Sequence, residues 1–252
     1  MKRISIRAAL AALCIFALAM IPSCKAEDRE RLVQLVEQLE ASAGEGATQD
    51  PSAERFDPSA EPRFPTDALR EGHVGTVHHI IDGDTLDLRV GDEIFKIRFK
   101  GASAPECHKD SISVAGVPRY RCVEDDEFYG LASYEELVAI IDGQPLRVEC
   151  ESVGEGQPCE SDTYNRWLAN LVVVGGVDVG EELLRRGAGF TSTAFRSQTR
   201  KRYCLAEYEA RREGRGMWEG KSVPETIAQM NEGTQRWYRA HDARCDAAIR
   251  DL

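Results

Sequence analysis

The stretch VGTVHHIIDGDTLDLRVGDEIFKIRFK, residues 74–100, decides the fold. Val74 to Ile80 and Thr85 to Val90 read as two strands joined by the turn Asp82-Gly83-Asp84, and Glu93 to Lys100 reads as a third. Leu146 to Glu151 alternates as a fourth strand, and Trp167 to Val174 is a fifth that runs into a Gly175-Gly176 turn. Helical patterns lie between and after them. Leu131, Tyr134, Leu137, Val138 and Ile141 recur at helical spacing until Asp142-Gly143. Val179 to Arg186 is a second helix with Gly187 as its C-terminal cap, Thr199 to Arg212 a third, and Pro224 to Ile249 one more. Five strands with interleaved helices predict an α+β domain built on a small Greek-key barrel of the OB type.

The chemistry-bearing residues fall on this frame in order. Asp84 sits at the turn, Arg98 in the third strand, Glu106 just after it, and Arg166 at the start of the fifth strand. A carboxylate can hold a hard cation. Two guanidiniums grip a phosphate through paired N–H donors. A Glu can activate or orient water. Each residue has a bland reading as well. Asp favours turns without any function, and Arg98 could pair with an acid at the core edge. His78 and His79 are neighbours on a strand and point to opposite faces, which argues against a shared metal.

The order and spacing of these pieces resemble the staphylococcal nuclease (thermonuclease) family. The resemblance runs from about Val74 to Trp218. It includes Tyr129-Gly130-Leu131-Ala132-Ser133, Asp162-Thr163-Tyr164-Asn165-Arg166, Leu184-Arg185-Arg186-Gly187 and Gly216-Met217-Trp218. It implies an OB-fold nuclease that hydrolyses DNA and RNA with low sequence preference, assisted by calcium. The implied catalytic residues are Arg98, Glu106 and Arg166. The implied metal ligands are Asp84, the position of Ser103, and the backbone carbonyl of Ala104, with Asp82 and Thr85 in support. Tyr164 would contact the substrate. Two positions depart from the pattern. Ser103 stands where the family usually has a second metal-binding Asp, and Asn165 replaces a Gly. The other reading is a catalytically weak or inactive nuclease-like OB module that binds nucleic acid or protein. Arg98, Glu106 and Arg166 together argue against it, since a pure binder needs no base beside two phosphate-gripping arginines.

The 252 residues allow one domain of about 150 plus appendages. Residues 1–24 read as an export signal: Lys2, Arg3 and Arg7, then an apolar run from Ala8 to Ile21 that is short for the ~20 residues a bilayer span needs. Cys24 is the lipidation candidate, which would tether the chain to a membrane without spanning it. Cleavage after Ala26 is the rival reading. The chain is thus expected to be exported, either as a periplasmic membrane-anchored lipoprotein or as a secreted protein, and monomeric. Residues 25–72 read as a short helix (Glu27 to Leu39) and an Ala/Ser/Gly/Pro-rich linker, 73–220 as the nuclease-like domain, and 221–252 as a C-terminal helical extension.

Six cysteines follow the signal: Cys107, Cys122, Cys150, Cys159, Cys204 and Cys245. An even number in an exported chain favours disulfides, and no CxxC pair suggests zinc. Loop proximity points to Cys107–Cys122 and Cys150–Cys159, leaving Cys204–Cys245. The net charge of −11 is awkward for a nucleic-acid binder. Leu183 to Arg215, however, holds nine basic residues to three acids. That run is either a phosphate-facing patch or a solvated helical face.

Overall fold

The computed structural model describes residues 67–114, 117–151, 153–193 and 197–250. The expected signal, lipidation site, short helix and the linker as far as residue 66 lie outside the described residues; residues 67–72, expected as linker, pack on the domain instead, with Leu69 fully buried in the core and Arg70 bridged to Pro158.

Strands β1 (Val74–Ile80), β2 (Thr85–Val90) and β3 (Glu93–Phe99) form an antiparallel meander. Leu86 pairs with Ile97 and Leu88 with Phe95, and all four are buried. Alternation put these residues on one face, and that face is the barrel interior. Closure comes from β7 (Leu146–Glu149) and β9 (Trp167–Val173). β7 pairs antiparallel with both β1 and β9, while β9 runs parallel to β3, with Arg98 opposite Leu168. The result is a closed, mixed five-stranded barrel, as the sequence predicts. Short strands β4 (Ala102–Ser103), β8 (Glu160–Ser161), β10 (Val177–Asp178) and β11 (Phe190–Thr191) decorate it, and β11 pairs with β4.

Helix α1 (Gly130–Ile141) buries Leu137, Ile140 and Ile141, and α2 (Val179–Arg185) buries Leu183 and Leu184 in the same core. α2 is capped by Asp178, whose side chain accepts from Glu181 N at 2.9 Å. Gly83, in the turn after β1, lacks the Cβ that would lie 2.5 Å from Ser133 Oγ and 2.6 Å from Ala104 Cβ. Only glycine lets α1 and the β4 segment close on this turn.

Two features differ from the sequence reading. Cys107–Val114 (β5) and Val117–Asp125 (β6) form an antiparallel hairpin that the sequence did not predict. Its mixture of charged and apolar residues carries no sustained alternation. The Pro224 to Ile249 helix is two helices, α4 (Val223–Ile227) and, after α3 (Arg200–Glu213) in the chain, α5 (Glu232–Ile249). The break is a capping signal, since the Asn231 side chain accepts from Thr234 N at 3.0 Å.

The C-terminal part packs back on the domain. Phe190, Trp218, Trp237 and Tyr238 form an aromatic cluster. Fully buried Glu207 on α3 accepts from Thr191 N at 2.8 Å and Tyr238 Oη at 3.2 Å, contacts His241 Nε2 at 3.1 Å, and pairs with Arg211. Disulfides join Cys107–Cys122, Cys150–Cys159 and Cys204–Cys245, the pairing that loop proximity suggested.

Candidate active site

The turn after β1 is closed by Thr85 O, which accepts from Ile81 N at 2.9 Å and Asp82 N at 3.2 Å. Asp82 folds over it and accepts from Asp84 N at 3.2 Å. Asp84 is thereby aimed across at β4. Its carboxylate accepts from Thr85 Oγ1 at 3.0 Å and Ala104 N at 2.7 Å, and it pairs with Arg98. Burial pushes the Asp84 carboxyl up to about 7, with Arg98 opposing the rise and Asp82 adding to it.

Arg98 also donates to Ser103 Oγ at 3.0 Å and to Ala102 O at 3.4 Å. Ser103, which stands where the family has an acid, is thus an acceptor for the arginine. Arg166 is held by Asp162, whose Oδ2 lies 2.8 Å from Nε and 2.7 Å from Nη2. The other Asp162 oxygen accepts the backbone N–H groups of Tyr164 and Arg166 at 2.9 and 3.0 Å. Asn165, in place of a Gly, takes a left-handed φ of 56°, a conformation that Asn tolerates, so the turn keeps its shape.

Arg98, Ser103, Ala104, Glu106 and Arg166 line one cleft of about 300 Å³. Asp82, Asp84 and Thr85 sit buried behind it. Tyr164 is 78% exposed and outside the lining, with the Arg166 guanidinium 5.3 Å from its ring centre.

Three residues of this neighbourhood escaped the sequence reading. Lys109 Nζ lies 2.9 Å from Asp82 Oδ2 and 3.3 Å from Glu106 Oε2. Its only sequence signal is its place three residues after Glu106. Glu127 lines the cleft while only 4% exposed. Its two oxygens accept from Glu106 N at 2.9 Å and Asn231 N at 3.0 Å. Trp237, from the C-terminal extension, lines the cleft as well. Trp237 and Cys245 mark the final helix as one that packs back on the domain, but no local sequence signal places Glu127 or Trp237 in the cleft.

Most of the basic run is internally neutralised. Arg185, Arg186, Arg202 and Arg211 pair with Glu181, Glu182, Asp178 and Glu207, and Arg212 and Arg215 with Glu213. A second cluster of metal-ligand types, Glu207, His241 and Cys245, offers no thiolate, because Cys245 is bonded to Cys204.

The Asp82 and Asp84 carboxylates and the Ser103 hydroxyl are oxygen donors of the kind that a hard cation takes, but Ala104 presents its N–H to Asp84 and Arg98 occupies both Asp84 and Ser103. The set is one carboxylate short of the family pattern, and Arg98 and Lys109 already offset part of its charge.

Residues 96–220 match the family model described as "Staphylococcal nuclease homologue". With the closed barrel, this match makes the domain similar to the staphylococcal nuclease family and consistent with an OB-fold nuclease-like domain. Arg98, Glu106 and Arg166 fall inside the match, whereas Asp84 precedes it and Trp237 follows it. No curated protein matches the chain.

Proposed function

We propose that the domain is a phosphodiesterase that cuts DNA and RNA with little sequence preference, assisted by calcium. The observation that carries this reading is the convergence of Arg98, Glu106 and Arg166 on one cleft in front of buried Asp84. Glu106, its side chain 59% exposed and its Oε2 3.3 Å from Lys109 Nζ, would take a proton from water as the water attacks phosphorus. Charge developing on the phosphoryl oxygens falls between the two guanidiniums. Each has N–H donors beyond those its protein partners use. Asp162 holds Arg166 in one orientation, which lowers the reorganisation needed during the reaction. Asp84, Ser103 Oγ and the Ala104 carbonyl would hold the calcium, whose chemistry is to neutralise phosphoryl charge and acidify water.

The export signal, with lipidation at Cys24 or cleavage after Ala26, makes the enzyme an exported one acting outside the cytoplasm. The Ala/Ser/Gly/Pro-rich stretch before residue 67 would, as a linker, let a tethered domain reach polymeric substrate. A second reading, a binding module without activity, draws on the missing carboxylate at Ser103 and on the Arg98–Asp84 pair.

Plasmid, single-stranded DNA and RNA incubated with calcium, manganese or chelator separate the two readings. Cleavage is expected with calcium. Arg166→Ala and Glu106→Gln should each lower it by about 10²-fold or more, with circular dichroism unchanged. Nucleic-acid binding without cleavage would establish the binding module. Equal cleavage by both variants would assign the activity to another site.

A further inference from the structure

The cleft has two chemical halves. Arg98 and Arg166, together with the acids Glu106, Glu127 and Asp162, form a charged part, while Leu168, Phe190 and Trp237 form an apolar, largely aromatic one. A phosphate beside a flat apolar ring is the outline of a nucleotide.

Trp237 lines the cleft from outside the stretch that matches the family model. It is half-buried and rigidly framed. One face stacks on His241, with ring centres 5.0 Å apart and planes 7° from parallel. Phe190 and Tyr238 meet it edge-on at 6.1 and 6.3 Å. His241 is itself fixed against Glu207. The segment leading into Trp237 is anchored at Asn231, whose N–H donates to Glu127, the same carboxylate that receives Glu106 N. One buried side chain therefore ties the C-terminal wall of the cleft to the loop carrying the proposed base.

We propose that Trp237 is the ring on which a nucleobase stacks beside the scissile phosphate. The inference rests on the nuclease reading of the cleft. Base–aromatic stacking tolerates any sequence, because every base has a π-face. The cleft's volume of about 300 Å³ is at the small end for ligand pockets, suiting one unstacked unit better than a paired stack.

Fluorescence anisotropy with non-hydrolysable phosphorothioate oligonucleotides tests this on the full chain. Trp237→Leu keeps apolar volume and removes the aromatic face, and Trp237→Phe restores a smaller one. Single-strand affinity should fall by roughly 5- to 100-fold in Trp237→Leu, as expected for losing one stacked base. It should recover substantially in Trp237→Phe. A wholly abasic oligomer should bind parent and Trp237→Leu alike. Equal single-strand affinity in parent and Trp237→Leu, with cleavage retained, would overturn the inference and leave the nuclease reading standing. Equal loss of abasic and normal oligomers in Trp237→Leu would also overturn it, by showing a structural role. A parent chain that neither binds nor cuts nucleic acid would overturn both.

Discussion

Lys109 Nζ stands 2.9 Å from Asp82 Oδ2, so the carboxylate behind the proposed metal site already has a cation from the protein. Burial alone would lower the Lys109 pKa, yet Asp82 and then Glu106 hold it above the usual lysine range. The ammonium and a divalent ion therefore compete for the same negative charge. Lys109→Met should tighten calcium binding by about 3- to 10-fold, on the order of 1 kcal/mol for one charge at a partly exposed site. Isothermal calorimetry checks this, and weaker or unchanged binding would mean that Lys109 does not oppose the ion.

Ser103→Asp adds a carboxylate to the same oxygen set. Calcium affinity rises with ligand charge, so the calcium needed for half-maximal activity should fall. Arg98 Nη2, now 3.0 Å from Ser103 Oγ, is the competitor for the added charge. A titration with equal or weaker calcium response would show that Arg98 takes it instead.

Glu207 is the main electrostatic tie between α3 and α5. Burial raises its pKa, but Arg211 and His241 outweigh that and hold the carboxyl well below the usual range. A depressed carboxylate contributes stability above its unfolded pKa, near 4.3, and loses it as pH falls from there toward the folded value. Glu207→Gln leaves buried Arg211 without its main partner and should cost about 3–5 kcal/mol at pH 7. The difference in Tm between parent and variant should shrink steadily below about pH 4.5. A difference that stays constant with pH would mean that the carboxylate's charge contributes nothing.

The Cys107–Cys122 bridge closes a loop of sequence separation 15, a constraint of about 3 kcal/mol. Cys107 follows Glu106 directly, and the hairpin it closes carries Lys109. Replacing both cysteines by Ser should leave the barrel's far-UV spectrum intact while reducing cleavage by up to about 10²-fold, because a shift of about 1 Å at a reacting group has that effect. Replacing Cys204 and Cys245 instead should lower Tm, since that bridge joins α3 to α5. Unchanged cleavage without Cys107–Cys122 would remove the bridge's role in the site.

The barrel strands were legible because one face of each is packed inward. Leu86, Leu88, Phe95 and Ile97 alternate in the chain because they share an interior. The β5–β6 hairpin has no such pattern, and Lys109 acts through a partner 27 positions earlier, so neither leaves a local trace. Asp84, Arg98, Glu106 and Arg166 could be found because their spacing is a motif. Glu127 and Trp237 could not, because what places them in the cleft is the packing of a segment more than a hundred residues from Glu106. The basic run did carry a readable warning: Glu181, Glu182 and Glu207 lie three or four residues before the arginines that they neutralise.

The parallel pairing of β3 with β9 sets Arg98 opposite Leu168, two positions past Arg166. No turn or helix brings the two arginines together. They become neighbours only when strands separated by a hairpin, a helix and another strand close into the barrel. Long-range pairing of this kind forms late and slowly. A partly folded chain, on the ribosome or in transit, carries every reactive side chain and none of their mutual geometry. Topology thus makes the proposed site conditional: its arginines share a geometry only once β9 has docked against β3.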